Sequence, residues 1–214
     1  MTGIILGFLY ALIALGYTMV YGVLKLINFA HDSVFMVGGV AAFYVFGRWL
    51  GLTGPYHGIN LILILIGVLL VGGIASAIHA AILERAAYRP LRRRNAARLS
   101  YLISAIGASF FATYLFQQQF LLGPAKQTFP SVINAAGDNA FRLHILNSIV
   151  TGPKLLVVIG AILCLIALDR LINQTRTGRS IRALSEDQVA AQLMGVNVDR
   201  VIVTTFVVGG FFGG

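Results

Sequence analysis

The sequence predicts an all-α, polytopic integral membrane protein. Of its 214 residues, 58% are hydrophobic and only 11% are charged, whereas soluble domains carry about 25% charged residues. The hydrophobic residues form long runs, and several approach the roughly 20 residues that a helix needs to cross a bilayer. The net charge is +9, but the basic residues lie in loops between the apolar runs, so this charge does not indicate nucleic-acid binding.

The apolar runs predict about five complete transmembrane helices and the start of a sixth. All belong to a single membrane domain over residues 1–214. Residues 201–214 are apolar but too few to cross a hydrocarbon core of about 30 Å. We therefore expect the sequence to stop inside the sixth span, with its C-terminal part missing. The predicted spans are about 4–24, 34–50, 61–83, 99–122, 155–172 and, in part, 201–214.

The first three spans differ in their polar neighbours and in their small residues. The first has no charged residue, and a polar break over 25–33 separates it from the second, which ends at Arg48 and Trp49, where interface anchors belong. The third carries Gly72, Ser76 and Ala80 at four-residue spacing. That pattern lets helix backbones approach closely in lipid, so we expect this stripe to contact another helix.

The arginine-rich segment 84–98 fixes the predicted orientation. It precedes the fourth span, and two spans separate it from the basic segment 179–200, so both lie on one side. The positive-inside rule makes that side cytoplasmic and places the loop 123–154 outside. Met1 then lies outside, unless 34–50 is re-entrant or broken, in which case the N-terminus lies inside. Pro90 is expected to prevent a regular helix through the middle of the segment.

The most polar long segment, 177–200, predicts a short helix between two spans. Ser185 and Gln188 have the spacing of a capping box, and Gly195 stands where a glycine ends a helix. These signals predict a helix over 186–194 with two acidic residues in its first turn, where the helix dipole favours negative charge.

This short helix has one apolar face, which needs a surface to pack on. Val189 and Leu193 lie four residues apart and therefore on the same side. Nine residues are marginal as an isolated helix in water, so the face either meets a partner protein or lies on lipid headgroups or on its own protein. The residues of this candidate docking element are Ser185, Glu186, Asp187, Gln188, Val189, Leu193, Met194 and Gly195.

The polar break after the first span supplies a second candidate site, formed by Asn28, His31 and Asp32. Polar groups at membrane depth are costly unless they line a wet cavity or pair with each other. The three residues therefore line a substrate path, or they cap the beginning of the second span.

No catalytic, metal or cofactor site is predicted on this chain. His79 and Glu84 lack the His-Glu-x-x-His pattern of a zinc helix, and there is no Gly-rich P-loop for ATP. The single cysteine, Cys164, lies in an apolar run, where we expect it to pack as a small apolar side chain.

Three segments resemble the permeases of branched-chain amino acid ABC importers, in the order in which that family has them. The first comprises Tyr17-Thr-Met-Val-Tyr-Gly22 and Asn28-Phe-Ala-His31, although the glycine that typically follows is absent and Asp32 comes directly after His31. The second is Glu84-Arg-Ala-Ala-Tyr-Arg-Pro-Leu-Arg92. The third begins Gly178-Arg-x-x-Arg-Ala-x-x-Glu-Asp and continues to Asp199-Arg-Val; in the family, this loop carries the coupling helix that seats on the ATPase.

The resemblance implies a permease subunit that works by alternating access in the cytoplasmic membrane of a bacterium or archaeon. The implied partners are two cytoplasmic ABC ATPase subunits, a second homologous permease or a copy of this chain, an extracytoplasmic binding protein and the lipid bilayer, with no nucleic acid. The implied substrate is a branched-chain or similar hydrophobic amino acid; urea, amides and aromatic acids are alternatives.

Two further alternatives stay open. A self-sufficient secondary transporter or channel needs acidic residues inside its spans. Here no Asp or Glu lies in a span interior, because Asp32, Glu84 and Asp169 are all at span ends. A membrane enzyme needs a convergent catalytic set, and the sequence shows none.

The basic residues of the segment 84–98 hold this loop on the cytoplasmic side, or they contact the ATPase or anionic lipid. These residues are Arg85, Arg89, Arg92, Arg93 and Arg94.

Overall fold

The computed structural model describes residues 2–52, 56, 58–118, 142–145 and 148–214, which are almost entirely helical. Two stretches are π-helical, over Phe43–Trp49 and over Glu84–Tyr88. The helices are α1 (Thr2–Leu24), α2 (His31–Ala42), α3 (Gly58–Leu83), α4 (Arg89–Arg93), α5 (Arg98–Phe116), α6 (Gly152–Gln174), α7 (Arg176–Glu186), α8 (Gln188–Leu193) and α9 (Val198–Gly213).

Four helical stretches among the described residues are long and apolar enough to cross a membrane: Leu6–Leu24, Ile59–Arg93, Arg98–Phe116 and Leu155–Gln174. The predicted polytopic, helical fold is therefore confirmed. The stretch predicted as the span 34–50 begins at His31 and changes from α- to π-helix at Phe43. Its assignment as a complete span stays a prediction.

Helix α9 lies in the centre, between α1 and α3. Small residues make this close approach possible, because a Cβ added at Gly210 would lie 2.7 Å from the Cβ of Ala80. On the same stripe of α3, the Ser76 hydroxyl is fully buried and donates to the carbonyl of Val34 in α2 at 2.8 Å. The small residues of α3 thus contact both α2 and α9.

The arginine-rich segment is helical at first, because α3 continues through π-helical turns into α4, which ends at Arg93. Pro90 is the second residue of α4, which directly follows these π-helical turns. The preceding turn is widened, with the N–H of Arg89 donating to the carbonyl of Glu84. The chain thus stays helical through Pro90, but the helix is not regular there, as expected, because π-helical turns precede the proline.

The segment 177–200 contains two helices where one was predicted. The first, α7, begins after Thr175, whose hydroxyl accepts from the N–H of Gly178 at 3.0 Å. It includes Ser185, so the predicted helix over 186–194 with Ser185 as its cap was wrong. The chain is extended at Asp187, and α8 follows.

Part of the predicted outer loop 123–154 lies outside the described residues, as do residues 119–122 at the end of the predicted fourth span. Helix α5 ends at Phe116. Beyond it, β1 (Arg142–Ile145) and β2 (Ser148–Thr151) pair antiparallel, with Arg142 opposite Thr151. A short hairpin therefore stands directly before α6, where only a loop was predicted.

Candidate functional site

Helix α8 has well-defined ends, although it is short. The Asp187 carboxylate accepts from the backbone N–H groups of Val189 at 2.7 Å and Ala190 at 3.1 Å, which makes Asp187 the N-cap. At the other end, Gly195 has a φ of +83°. The N–H of Val196 donates to the carbonyl of Ala191, one of the two bonds of a Schellman motif. The N-cap of α8 is therefore Asp187 and not Ser185, which lies within α7.

The underside of α8 is fixed to the protein's own body. Ala191 is buried in the main hydrophobic cluster, and the side-chain amide of Gln188 donates to the carbonyl of Val23, at the end of α1, at 3.1 Å. Helix α7 is anchored in the same way through Ile181 and Leu184, which are both buried. The position of α8 is thus coupled to α1 by a direct hydrogen bond.

The opposite side of α8, together with its C-cap residue, carries an exposed apolar patch, which we call the coupling surface. It consists of Val189, Leu193 and Met194, which are 66%, 84% and 87% exposed. Ser185 lies apart from it, because its hydroxyl donates to the carbonyl of Arg182 within α7. Glu186 is exposed. Within the described part of the chain, nothing covers the coupling surface.

An ion cluster joins the end of α3 to the start of α9. Arg92 pairs with Glu84 at 3.0 Å and with Asp199 at 2.7 Å, and Arg89 pairs with Asp199 at 3.2 Å. Glu84 is fully buried. The hydrogen bond from Arg92 is the main cause of a lowered pKa at Asp199, with Arg89 adding to it. The two basic segments therefore meet at one end of the molecule.

The five arginines predicted as one basic loop divide into two groups. Arg89 and Arg92 are half-buried in the ion cluster, whereas Arg85, Arg93 and Arg94 are exposed. The first group therefore has a structural role within the described part of the chain. The sequence did not reveal Asp199 as their partner, although the Asp-Arg-Val motif includes it.

Asn28 and His31 are buried among helices. The Asn28 side-chain oxygen accepts from the Tyr88 hydroxyl at 2.6 Å and from the N–H of Ala30 at 3.0 Å. The His31 ring packs against Tyr17 with ring centroids 4.7 Å apart. Helix α2 has Ala30 as its N-cap, which makes no side-chain cap bond itself. The Asn28 oxygen accepts from the N–H of Ala30, and the Asp32 carboxylate accepts from the N–H of Ser33 in the first turn, so the capping interpretation stays a prediction.

Asp32, in contrast, is exposed on the side of α2 that faces α5. Its two carboxylate oxygens accept from the hydroxyl of Ser109 at 2.8 and 2.9 Å, and one of them also accepts from the N–H of Ser33. No basic side chain pairs with it in the described part of the chain. The three predicted path residues are therefore close in sequence but have different environments.

A cavity of about 360 Å³ lies between α1, α2, α3 and α9. Asn28, His31 and Asp32 do not line it. Among the described residues, no group of three His, Cys, Asp or Glu side chains could hold a metal ion. The cavity lining is mostly apolar and includes Leu12, Phe35, Gly38, Leu69, Gly72 and Phe211.

The sequence is similar to those of known transport proteins. The family model described as "Branched-chain amino acid transport system / permease component" matches residues 1–214. The chain is 38% identical over 209 residues to the high-affinity branched-chain amino acid transport system permease protein LivH of Escherichia coli K12. It is 39% identical over 210 residues to LivH of Salmonella typhimurium and 35% identical over 211 residues to BraD of Pseudomonas aeruginosa.

Each of these alignments covers 97% of this chain but 64% of the relative. The chain thus spans a little under two thirds of the length of these relatives. No solved structure matches it significantly. The family match over its whole length, together with these identities, shows that the chain belongs to the family of permease components of branched-chain amino acid transport systems.

Proposed function

We propose that this chain forms the membrane-spanning permease subunit of an ABC importer for branched-chain or related hydrophobic amino acids. The family membership and the names of the relatives support this class of substrate. Two cytoplasmic ATPase subunits supply the energy, a second permease subunit completes the path, and an extracytoplasmic binding protein delivers the substrate. The complex works in the cytoplasmic membrane of a bacterium or archaeon.

The observation that carries the proposal is the exposed coupling surface on a helix that is otherwise firmly held. Leu193 and Met194 are more than four-fifths exposed, and burying large apolar side chains of this kind stabilises a complex by about 1.5–3 kcal/mol each. Hydrogen bonds at both ends of α8 keep the surface in shape. A groove in an ATPase subunit is the partner that we propose for it.

The contacts beneath α8 suggest how its movement reaches the transmembrane helices. Gln188 bonds to the end of α1, and the connection after Gly195 leads directly into α9, which starts next to the ion cluster. Displacement of α8 on ATP binding therefore moves α1 and α9 together. These two helices flank each other along their length, so they move as one unit in alternating access.

We place Asp32 on the substrate path. An exposed carboxylate without a basic partner is costly when it faces lipid, so this side of α2 faces water or a polar ligand. An amino acid brings an ammonium group, which forms strong charge-assisted hydrogen bonds with a carboxylate. Asn28 and His31 support the fold around the path, because they are enclosed by α1, α9 and the turn before α4.

The substitution Leu193→Asp in the full-length permease tests the proposal. A charge in an apolar interface is costly when unpaired, so this variant should still insert but lose ATPase recruitment and leucine uptake. Gln192→Asp is the matched control, because Gln192 is exposed on the same helix but outside the coupling surface.

ATPase pull-down and uptake of labelled leucine are measured side by side, with urea, acetamide and phenylalanine as competitors to test the alternative substrates. Recruitment and uptake at wild-type levels in Leu193→Asp would show that the coupling surface does not bind the ATPase. Equal losses in Leu193→Asp and Gln192→Asp would show that added charge, and not the apolar surface, is responsible.

A further inference from the structure

A second surface feature lies where α3 and its π-helical turns meet the start of α9. It is a pocket of about 280 Å³, separate from the coupling surface. Two elements distant in sequence contribute to it, so it is a product of the fold and not of one basic run. Its lining residues are Arg85, Arg89, Asp199, Arg200, Val203 and Thr204.

The charges of this pocket do not balance. Its single carboxylate, Asp199, is already shared between Arg89 and Arg92. Arg85 and Arg200 have no ion pair or side-chain hydrogen bond with any described residue. An arginine cannot lose its proton in a protein, so these two guanidinium groups favour an anionic ligand.

The depth of the pocket matches that of lipid headgroups. Helix α3 has 26 residues and at 1.5 Å per residue is about 39 Å long, more than the roughly 30 Å of a hydrocarbon core. Its apolar part ends at Leu83, two residues before Arg85. Ile74, Ile78 and Ile82 are 51%, 56% and 56% exposed, and their four-residue spacing forms an apolar strip that leads to Arg85.

We propose that this pocket binds the phosphate of an anionic phospholipid headgroup, with an acyl chain along the isoleucine strip. A guanidinium group can donate two parallel hydrogen bonds to phosphate oxygens. The Thr204 hydroxyl already donates to the carbonyl of Arg200 at 2.7 Å, so the guanidinium groups provide the recognition. The inference rests on the membrane fold and is independent of the proposed transport function.

The test measures lipid binding to the purified full-length permease. The protein is titrated with dioleoylphosphatidylglycerol or dioleoylphosphatidylcholine, and native mass spectrometry detects the bound lipid. We expect tighter binding of phosphatidylglycerol. One arginine near an anionic lipid surface accounts for about a fivefold change in affinity. Arg85→Gln and Arg200→Gln should therefore each weaken phosphatidylglycerol binding about fivefold, and Arg85→Lys should restore part of the loss.

Arg93→Gln and Arg94→Gln are the matched controls, because both residues are exposed in the neighbouring turn but do not line the pocket. Their affinities should stay within about twofold of wild type. Equal losses of phosphatidylglycerol affinity in all four glutamine variants would show that a diffuse basic surface binds the lipid instead of this pocket. Unchanged affinity in Arg85→Gln and Arg200→Gln would overturn the proposal.

Competition with inorganic phosphate distinguishes binding of a lipid phosphate from binding of a free anion. At millimolar concentration, it should not displace the lipid, because it cannot occupy the isoleucine strip. Displacement by phosphate would show that the pocket takes a free anion instead of a lipid. Equal affinity for phosphatidylglycerol and phosphatidylcholine would likewise overturn the proposal, because the site would then not distinguish anionic lipids.

Discussion

Gly178 directs the chain from α6 into α7. A Cβ added there would overlap the backbone carbonyl of Ile172 and lie 2.5 Å from the carbonyl oxygen of Leu171. Backbone atoms of a helix end cannot move aside as a side chain can. Beside it, Thr175 caps α7 by accepting from the N–H of Gly178. A residue without a side chain is therefore required where the two helices meet.

Gly178→Ala should destabilise the full-length permease, because overpacking typically costs about 1–3 kcal/mol. The control is Gly22→Ala in α1, where an added Cβ would meet nothing within 4 Å; alanine there should be neutral or mildly stabilising. The measurement is the thermal unfolding midpoint in detergent. Equal midpoints for the two variants would contradict the close contact at Gly178.

Asp32 provides a second prediction at the level of single residues. If its carboxylate holds the substrate ammonium group, Asp32→Asn should reduce leucine uptake at least about tenfold, since hydrogen bonds to charged groups contribute about 1.5–3 kcal/mol. Ser109→Ala removes only the hydroxyl that donates to the carboxylate and should cause a smaller loss. Membrane insertion and ATPase recruitment should not change in either variant.

Uptake by Asp32→Asn equal to wild type would place Asp32 outside the path. Loss of insertion or of ATPase recruitment would instead assign it a structural role.

At the level of elements, the ion cluster is the link between the turn after α3 and the start of α9. Arg92 supplies the charge opposite the fully buried Glu84. Arg92→Gln should therefore destabilise the permease by about 3–5 kcal/mol, because it leaves a buried carboxylate without its partner. Arg93→Gln makes the same change of charge at an exposed position. It should change the free energy of unfolding by less than about 0.5 kcal/mol.

Thermal unfolding in detergent measures both variants. If Arg92→Gln unfolds at the wild-type temperature, the cluster does not hold the two elements together.

Asp199 makes a pH-dependent contribution to the stability of the permease, and the direction of this contribution follows from its pKa. That pKa is lowered from the ordinary value of 3.8, mainly by the hydrogen bond from Arg92. A lowered pKa means stabilisation that is complete above the ordinary value and lost as the pH falls through the lowered one. The difference in unfolding temperature between wild type and Asp199→Asn should thus be constant from about pH 5 to 8 and shrink below about pH 4. If the difference in unfolding temperature instead grew as the pH fell, the ion pairs of Asp199 would not stabilise the fold in the predicted direction.

The sequence predicted the kind of element better than its boundaries. Apolar runs located the long helices, because their signal extends over many residues. Ser185 and Asp187 both favour the N-cap position, and only burial of Ile181 and Leu184 makes the chain helical up to Glu186. The π-helical turns before Pro90 could not be predicted, because such turns have no local sequence signal. The hydrogen bonds of Arg92 with Asp199 and of Ser109 with Asp32 join residues far apart in sequence, so spacing alone could not predict them.

At the level of the whole molecule, the ion cluster and α8 lie at the same end. Asp199 pairs with Arg89 and Arg92, so the segments 84–98 and 173–200 lie together whichever way the protein inserts. Charge then decides the absolute direction, because arginines accumulate at the cytoplasmic ends of spans. We therefore expect the coupling surface to face the compartment that contains ATP.

Single cysteines at Asn95 and Gln192, both exposed, test this orientation in a full-length Cys164→Ser background. An impermeant thiol reagent should label neither site on intact cells and both after permeabilisation. A cysteine at Gly137, in the predicted outer loop, should react on intact cells. The ion pairs require Asn95 and Gln192 to behave alike. Labelling of both on intact cells would reverse the orientation and place the coupling surface out of reach of any ATPase, whereas labelling of only one would contradict the ion pairs themselves.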